Sequence, residues 1–550
     1  MRAKAVRWEV WLFISIAALL LYALFLLYPM FTLLSQSVMG KEGGFSLEHF
    51  QRIFSKAYYL RAMGNSFKVT LAVTLFSVLL ATPLAYLLAV YQIRGKAMLE
   101  ILVLVSSMSA PFIGAYSWIM LFGRSGSVTT FLKNSIGLVL PDIYGFPGIV
   151  LVMSLQLYSL VYMFVSGAFK NMDNSLIEAS ESMGCTGIRK MFKIVLPLLM
   201  PTLLAGALMV FMRTFADYGT PRLIGEGYIT LPVLVYNEFM GEVGGNDGLA
   251  AAISIVAVVI TTGVFLFQKL VVSRKQFSMS ALHPIQPKKL KGIGSLLAHL
   301  YCYIVVGIAM LPQLYVIYSS FRKTNGKLFV PGFSINSYVE AFSTVGKSIV
   351  NTYVLGFISI AAIVVAAILI AYVVVRRRNA LNSTLDVVTM FPETVAGSIL
   401  GIALLMAFSK KPLYFSQTAF IMILSYVIRR LPYTVRSSSA ILQQISPSIE
   451  EASISLGASN MKTFFKVTVP MMLPGVISGA ILSWIMIITE LSTSIILYTT
   501  KTKTMTLEIY SQIIRGNDGI AAAISSILTF STIIALAVFF KVSGKKEIKM

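Results

Sequence analysis

The sequence predicts an all-α polytopic membrane protein of twelve transmembrane helices, arranged as two tandem six-helix halves. Of the 550 residues, 57% are hydrophobic and only 12% are charged, whereas soluble domains carry about 25% charged residues. A soluble core cannot accommodate so much apolar surface, and the mean hydropathy of +0.81 agrees with this. A long internal repeat also indicates that one six-helix unit has been duplicated.

Twelve apolar segments each approach the roughly 20 residues that a bilayer core requires. They lie at residues 11–36, 64–91, 99–122, 148–168, 198–216, 249–270, 297–319, 348–375, 384–408, 417–432, 472–489 and 519–540. The first follows Arg2, Lys4 and Arg7, as in a signal peptide, but its apolar run is too long and no A-x-A site follows. We therefore expect it to be a retained helix.

The distribution of positive charge predicts the orientation. Lys and Arg exceed Asp and Glu by 45 − 22 = 23. With the N-terminus inside, 27 of the 45 cations fall on inner segments, including Arg376 to Arg378, Lys288 to Lys291 and the C-terminal tail. We expect both termini to be cytoplasmic. Nucleic-acid binding is excluded, because no basic stretch has interleaved aromatic residues.

The two halves repeat in the same direction. GNDGLAAAIS begins at Gly245 and GNDGIAAAIS at Gly516, an offset of 516 − 245 = 271, and each begins the last helix of a half. Each half has six spans, so we expect a pseudo-two-fold axis along the membrane normal rather than an inverted repeat. The predicted domains are residues 1–272 and 296–550, joined by a cytoplasmic linker at 273–295.

The most specific motif is a polar loop present in both halves, with the form EAS-x3-G-x9-[IV]-x-[LV]-P. Its spacing predicts a short helix, a glycine at the helix C-cap and a second short helix before the next span. Exposed acidic and small residues on such a helix suit docking into a groove of another protein. Its residues are Glu178, Ala179, Ser180, Gly184 and Pro197 in the first copy and Glu451, Ala452, Ser453, Gly457 and Pro470 in the second.

This loop resembles the EAA motif of ABC importer permeases, E-A-A-x3-G-x9-I-x-L-P. The third position is Ser in both copies, and the second copy has Val467 and Val469 where the motif has Ile and Leu. The resemblance implies that each loop is a coupling helix that enters a cleft on a homodimeric ABC ATPase. It also implies an inner-membrane location, an external substrate-binding protein, and ATP and Mg bound by the ATPase rather than by this chain.

Over its whole length the chain resembles the ferric-iron permeases, a group that includes fused thiamine and aminoalkylphosphonate permeases. The segment from Phe215 to Pro221, FADYGTP, is similar to a stretch of the ferric-iron branch. The resemblance therefore implies an importer of ferric iron. Thiamine, an aminoalkylphosphonate or another small solute are the alternatives within the same class.

The chain is not predicted to be an enzyme. A Walker A loop requires G-x4-G-K-[ST]. The sequence Gly346-Lys347-Ser348 matches the end of this motif, but the first glycine is replaced by Ala341. No nucleophile–base or metal constellation supports a membrane enzyme. A secondary transporter would need no docking loop, and a channel would need a repeated polar filter that the sequence lacks.

Ionisable residues inside spans are candidates for the translocation pathway. Glu393 follows Pro392 in the ninth span, and Asp217 and Glu490 are equivalent, since 490 − 217 = 273. These carboxylates would attract a cation, but Asp217 could equally pair with Arg213 on one helix face.

Two further groups of candidates remain open. Tyr116, Tyr158 and Tyr162 could coordinate a hard metal or could simply pack. Asp247 and Asp518 could contact a binding protein or could belong to turns that cap helices. Metal ligands cannot be demonstrated from the sequence.

Overall fold

The computed structural model is almost entirely helical, as the sequence predicts. It describes residues 2–40, 44–108, 111–185, 187–241, 246–274, 283, 285–377 and 379–543. Several residues on which the predictions depend lie outside these ranges: Gly245, Arg378, most of residues 273–284 in the predicted linker, and the lysines of the C-terminal tail from Lys545 onward.

The elements up to residue 274 are helical. The chain begins with α1 (Arg2–Tyr22), a π-helical turn (Ala23–Leu27), α2 (Tyr28–Ser37), α3 (Glu48–Ser55), α4 (Ala57–Val90), α5 (Lys96–Met108), α6 (Pro111–Phe122), α7 (Ser127–Ile136) and α8 (Phe146–Lys170). It continues with α9 (Asn174–Ser182), α10 (Gly187–Lys190), a π-helical turn (Met191–Val195), α11 (Leu196–Phe215), α12 (Gly219–Ile224), α13 (Leu231–Met240) and α14 (Asp247–Arg274).

The rest of the chain adds one antiparallel hairpin to a similar helical series. It comprises α15 (Gly292–Ser320), β1 (Arg322–Asn325), β2 (Leu328–Phe333), α16 (Asn336–Arg376), α17 (Ala380–Met390), a 3-10 turn (Phe391–Thr394), α18 (Gly397–Ala407) and α19 (Ala419–Gln444). It ends with α20 (Pro447–Ser455), α21 (Asn460–Thr463), a π-helical turn (Phe464–Thr468), α22 (Val469–Ile488), α23 (Ser494–Leu497), α24 (Met505–Ile514) and α25 (Asp518–Ser543).

Within the described ranges, nine helices are long and apolar enough to cross a membrane. They coincide with the first, second, fourth to eighth, eleventh and twelfth predicted spans. The third and ninth spans are bent pairs: Lys96–Ser107 with Phe112–Ile136 at 98°, and Ala380–Thr394 with Gly397–Ala407 at 110°. Counting each pair as one span gives up to eleven. The all-α membrane fold is confirmed, and twelve spans stay a prediction.

The tenth predicted span corresponds to α19, a helix of 26 residues that is not among the nine. Arg429, Arg430 and Arg436 interrupt its apolar sequence. The 27 inner cations of the predicted orientation include Arg429 and Arg430, near the inner end of the predicted span at 417–432. Instead they lie well inside the helix, where they contact Glu490.

The chain forms two compact units that do not follow the two sequence halves. One unit combines Met1–Arg52, Val235–Ile255 and Ser319–Lys546. In it, the buried Trp11 ring of α1 packs against Tyr372 of α16 at 4.4 Å between ring centroids and against Phe464 at 5.1 Å. The first helix of the chain therefore packs with residues of the second half.

The other unit is built mainly from Ile53–Leu234 and Val256–Tyr318. Here α15, the first helix of the second half, packs on residues of the first half. The Tyr301 hydroxyl donates to the carbonyl of Leu80 at 3.0 Å, and the Gln313 amide donates to the carbonyl of Ser106 at 3.1 Å. Each half thus contributes its first helix to the unit that holds most of the other half.

Candidate functional site

The two EAS loops have the same local structure. In the first, α9 is followed by α10, a π-helical turn and the long helix α11. In the second, α20 is followed by α21, a π-helical turn and α22. Pro197 and Pro470 are the second residues of the long helices, which continue the preceding π-helical turns without a break. The predicted order of helix, glycine turn, short helix and span is therefore present in both copies.

Gly184 ends the first EAS helix in a Schellman motif. Its N–H donates to the carbonyl of Glu181 at 3.0 Å, and the N–H of Cys185 donates to the carbonyl of Ser180 at 2.9 Å. These two bonds require a left-handed residue after the helix, and Gly184 has φ of +76°. A side chain at this position would strain the backbone.

Gly457 ends the second EAS helix in the same way. Its N–H donates to the carbonyl of Ile454 at 2.9 Å, and the N–H of Ala458 donates to the carbonyl of Ser453 at 3.2 Å. The φ of Gly457 is +87°. In both loops the serine of the EAS triplet supplies the carbonyl that closes the motif, so the fixed spacing from triplet to glycine has a structural cause.

The exposed surface of each EAS helix combines an acid, an alanine and a large apolar side chain directly before the glycine; the second helix also exposes Ile449 and Ile454. Glu178 and Ala179 are exposed in the first loop, and Met183, just before the glycine, is 78% exposed. In the second loop Leu456 is 89% exposed, beside the exposed Glu451 and Ala452.

Sequence reasoning did not single out Met183 and Leu456. The available signal was a large apolar residue directly before the glycine in both copies.

The serine of each triplet faces the loop rather than its surroundings. Ser180 is fully buried, and its hydroxyl donates to the carbonyl of Ile177 at 2.7 Å. The hydroxyl of Ser453 hydrogen-bonds that of Thr463, in the second short helix, at 3.0 Å. A small polar residue at this position lets the two limbs of the loop pack closely.

Ion pairs anchor the first EAS loop. Glu181 accepts from the amino groups of Lys190 at 2.5 Å and Lys288 at 3.2 Å. Lys190 and then Lys288 hold the pKa of Glu181 below its usual value. The N–H of Asn174, at the start of α9, donates to the carbonyl of His283 at 2.8 Å. Two residues of the segment that joins the halves therefore contact this loop.

The second EAS loop is anchored by a different element. The Arg376 guanidinium, at the end of α16, donates to Glu450 at 2.9 Å and to the carbonyl of Ile445 at 2.8 Å. The hydroxyl of Tyr372 also donates to Glu450, at 3.3 Å. Both side chains of the Arg376–Glu450 pair are nearly buried, so α16 and α20 are firmly connected.

The two regions that contain these loops both match the model of a known family. Its model, described as a binding-protein-dependent transport system inner membrane component, matches residues 69–276 and again 334–544. The chain belongs to this family. It is therefore a multi-pass permease subunit of ABC importers, with the family domain present twice, which agrees with the predicted duplication.

Curated relatives of this permease cover nearly all of it. The ferric transport system permease FbpB of Actinobacillus pleuropneumoniae is 26% identical over 96% of this chain and 77% of its own length. A protein called putative ferric transport system permease FbpB 1, from Haemophilus influenzae, is 26% identical over 88% of this chain and 77% of its own length. A putative 2-aminoethylphosphonate permease, PhnU of Salmonella typhimurium, is 23% identical over 46% of this chain and 90% of its own.

Asp217 and Glu490 of the permease make the same backbone contact. Asp217 accepts from the N–H of Thr220 at 3.0 Å, and Glu490 accepts from the N–H of Thr493 at 3.1 Å. Each carboxylate thus accepts from the residue three positions on, next to the start of a short helix. Glu490 is 4% exposed and is held by two arginines of α19, so its charge is already paired.

The other pathway candidates differ in their surroundings. Glu393 lies in the 3-10 turn at the bend between α17 and α18, half-buried, and makes no hydrogen bond or ion pair within the described ranges. Tyr116 is buried in α6. Tyr158 is buried and its hydroxyl hydrogen-bonds that of Ser106 at 3.3 Å. Among the described residues, no group of three or more His, Cys, Asp or Glu side chains could hold a metal ion.

Asp247 and Asp518 are the first residues of α14 and α25. In the first copy the capping role belongs to Asn246, whose side-chain oxygen accepts from the N–H of Leu249 at 2.9 Å. Asp247 is exposed and Asp518 is half-buried. The Asn-Asp-Gly sequence therefore serves as a helix start in this copy, and Asp247 stays available at the surface.

Proposed function

We propose that this permease is the membrane-spanning subunit of an ATP-driven importer whose two EAS loops are coupling helices for a separate ATPase dimer. The observation that carries this is the repeated loop geometry. Each copy ends in the same glycine cap and exposes a large apolar residue before that glycine, together with an alanine and an acid. Such a surface suits insertion into a groove of another protein.

The proposed orientation puts both termini and both EAS loops in the cytoplasm, because the inner segments would then carry the excess of Lys and Arg. The starts of α14 and α25 would lie outside. There, the exposed carboxylate of Asp247, and Asp518 at the equivalent position, are our candidates for contact with an external binding protein. That protein would deliver the solute, and the ATPase would bind ATP and Mg.

Closure of the ATPase dimer would draw the two coupling helices together as rigid bodies. The second helix would pull on α16 through the Arg376–Glu450 pair, and the first would pull on α10 and the inter-half segment through Glu181. A two-state change between inward-facing and outward-facing forms follows from such a coupled motion. Glu393, Asp217, Glu490 and Tyr116 remain our candidates for the pathway.

Ferric iron is the proposed cargo. It is supported by the two relatives named for ferric transport, which match 96% and 88% of this chain. The second candidate is an aminoalkylphosphonate, since a relative named for 2-aminoethylphosphonate transport matches 46% of it. The permease and its ATPase would be the same machine in either case.

Proteoliposomes that contain this chain and its co-purified ATPase test both parts of the proposal. We expect the binding protein loaded with ferric iron to stimulate ATP hydrolysis, and the empty binding protein to stimulate it far less. Stimulation only by a phosphonate-loaded binding protein would keep the importer and replace the cargo. Failure of any ATPase to co-purify would reject the coupling-helix assignment.

A further inference from the structure

Helix α4 of the first half corresponds residue by residue to α16 of the second half. The hydroxyl of Ser66 accepts from the N–H of Leu231, and that of Thr352 accepts from the N–H of Met505, both at 2.7 Å. These two bonds align the helices at an offset of 352 − 66 = 286. The helices α4 and α16 also end at this offset, since 376 − 90 = 286.

The ion pair at the end of α16 cannot form between the equivalent positions of the first half. In the second half, Arg376 pairs with Glu450 of the EAS loop. The corresponding residues are Val90 at the end of α4 and, at the offset of the EAS loops (450 − 273 = 177), Ile177. Both are buried members of one apolar cluster. The first half therefore lacks a charged residue at either position.

The segment that joins the halves brings a cation to the end of α4. The N–H of Lys288 donates to the carbonyl of Val90 at 2.8 Å, and the carbonyl of Lys288 accepts from the N–H of Gln92 at 3.1 Å. The side-chain amide of Gln92 donates to the carbonyl of Pro287 at 3.0 Å. The backbone of Lys288 is thus fixed beside the residue that corresponds to Arg376.

From the end of α4 the same segment contacts the first EAS loop at two points. The Nζ of Lys288 lies 3.2 Å from Oε2 of Glu181, and the carbonyl of His283 accepts from the N–H of Asn174 at 2.8 Å. The other ion pair of Glu181 is with Lys190, which belongs to the loop itself. Lys288 therefore provides an ionic link between α4 and the loop.

We propose that Lys288 is the counterpart of Arg376, so that the segment between the halves supplies the cation that attaches the first EAS loop to α4. The two ion pairs differ in both partners, because Glu181 corresponds to Ile454 (181 + 273 = 454) and not to Glu450. The segment is therefore more than a tether between two permease halves. Its role in moving the first loop rests on the proposed importer function, whereas the attachment itself does not.

The two attachments differ in burial and so should differ in strength. The side chains of Arg376 and Glu450 are 11% and 13% exposed, whereas those of Lys288 and Glu181 are 53% and 32% exposed. A partly exposed ion pair contributes little to stability, but removing one partner of a nearly buried pair is costly. We therefore expect the first EAS loop to be held more loosely than the second.

Hydrogen–deuterium exchange of the full-length chain in lipid nanodiscs, without an ATPase, tests the attachment. The readout is the pair of Schellman-motif amides in each EAS loop. In Lys288→Met we expect the amides of the first loop to exchange roughly two- to fivefold faster, while those of the second loop keep the parent rate. In Arg376→Met the second loop should exchange about tenfold faster or more, while the first is unchanged.

Three controls assign the effect to the ion pair. Lys288→Arg retains the positive charge and should exchange like the parent. Lys289→Met removes the charge of the exposed neighbour and should also exchange like the parent. The amide of Gln92, which donates to the backbone of Lys288, should keep its rate in Lys288→Met, because the segment would still lie against the end of α4.

Unchanged exchange of the first loop in Lys288→Met would overturn the proposal, as would equal acceleration of both loops or the same acceleration in Lys288→Arg. In proteoliposomes with the ATPase, Lys288→Met should transport fewer solute molecules per ATP, and Lys288→Arg should restore the parent ratio. A parent ratio in Lys288→Met would overturn the role in coupling. Because the exchange is measured without an ATPase, its result is independent of ATPase co-purification, which tests the importer function.

Discussion

Lys288 and Glu181 form an ion pair across 107 residues of sequence, with the Nζ of Lys288 3.2 Å from Oε2 of Glu181. The backbone of Lys288 is fixed as well, because its N–H donates to the carbonyl of Val90 at 2.8 Å and its carbonyl accepts from Gln92 at 3.1 Å. The segment between the two halves is therefore attached to the first EAS loop, and it contributes to the position of that loop.

Reversing the charge of Lys288 should impair coupling more than stability. In Lys288→Glu the loop would be repelled from the inter-half segment, and we expect fewer solute molecules transported per ATP hydrolysed, by a factor of a few. The pair is partly exposed, so the free energy of unfolding should change by less than about 1 kcal/mol. Lys289→Glu, at the exposed neighbour, is the control. Equal effects of both substitutions would contradict an anchoring role of Lys288.

The contribution of Glu181 should depend on pH in a defined direction. Lys190 and Lys288 lower its pKa in the folded protein, so the stabilisation is fully present above the ordinary glutamate pKa of about 4.3. It is lost as the pH falls through the lower folded value.

We expect the difference in melting temperature between the parent and Glu181→Gln to be constant from neutral pH to about pH 5 and to shrink only below that. A difference that has already disappeared near pH 6 would show that the ion pairs are not its source.

A branched residue at Gly457 should distort the second EAS loop. At φ of +87° a side chain costs roughly 1–2 kcal/mol, and relief of this strain would break the two bonds of the Schellman motif. We expect Gly457→Val, and likewise Gly184→Val, to insert into the membrane and to bind the ATPase, which would then hydrolyse ATP without transport. Gly167→Val is the control, because Gly167 is helical with open space around it. Normal transport stoichiometry in both loop variants would refute the coupling assignment.

The local form of the EAS loops could be predicted because each determinant lies within about one helical turn of the next. The glycine follows the triplet at the distance that a Schellman motif requires, so sequence spacing alone indicates the cap. The exchange of the first helices between the two units could not be predicted. Because every span is apolar, hydropathy does not indicate which helices pack together. The sequence near Trp11 therefore does not predict that its ring packs against Tyr372.

The environment of Glu490 was also beyond sequence reasoning. Arg429 and Arg430 precede it by 61 and 60 residues, and the charge count along the sequence places them at the inner end of a span. Their position depends on the contact with Glu490 and on the absence of a side chain at Gly397, where a Cβ would collide with Nη1 of Arg429. Both are tertiary contacts, which the hydropathy of the sequence does not predict.

The exposed apolar residues of the EAS loops should contribute to ATPase affinity rather than to stability. Leu456 is 89% exposed and Met183 is 78% exposed, so replacing either with Ser removes little packing within the chain. If each is buried in the ATPase, its loss should cost about 1.5–3 kcal/mol of binding, or roughly 10- to 100-fold in Kd. Leu328→Ser, at an equally exposed position of the hairpin, should bind normally. An unchanged Kd for Leu456→Ser would exclude this surface.

Variants of the Arg376–Glu450 pair should distinguish its contribution to stability from its contribution to coupling. Both side chains are nearly buried, so Arg376→Ala leaves the carboxylate with Tyr372 as its remaining partner and should lower the free energy of unfolding by about 3 kcal/mol. Replacing both residues with Met removes the unpaired charge and should restore most of that stability.

If the pair also transmits force from α20 to α16, the double variant should be stable yet transport fewer molecules per ATP than the parent. Arg436→Ala, on a partly exposed arginine of α19, controls for loss of positive charge. Full transport by a stable double variant would show that the pair contributes to stability alone. Force would then have to reach α16 through the packing of Phe464 against Tyr372, at 4.8 Å between ring centroids.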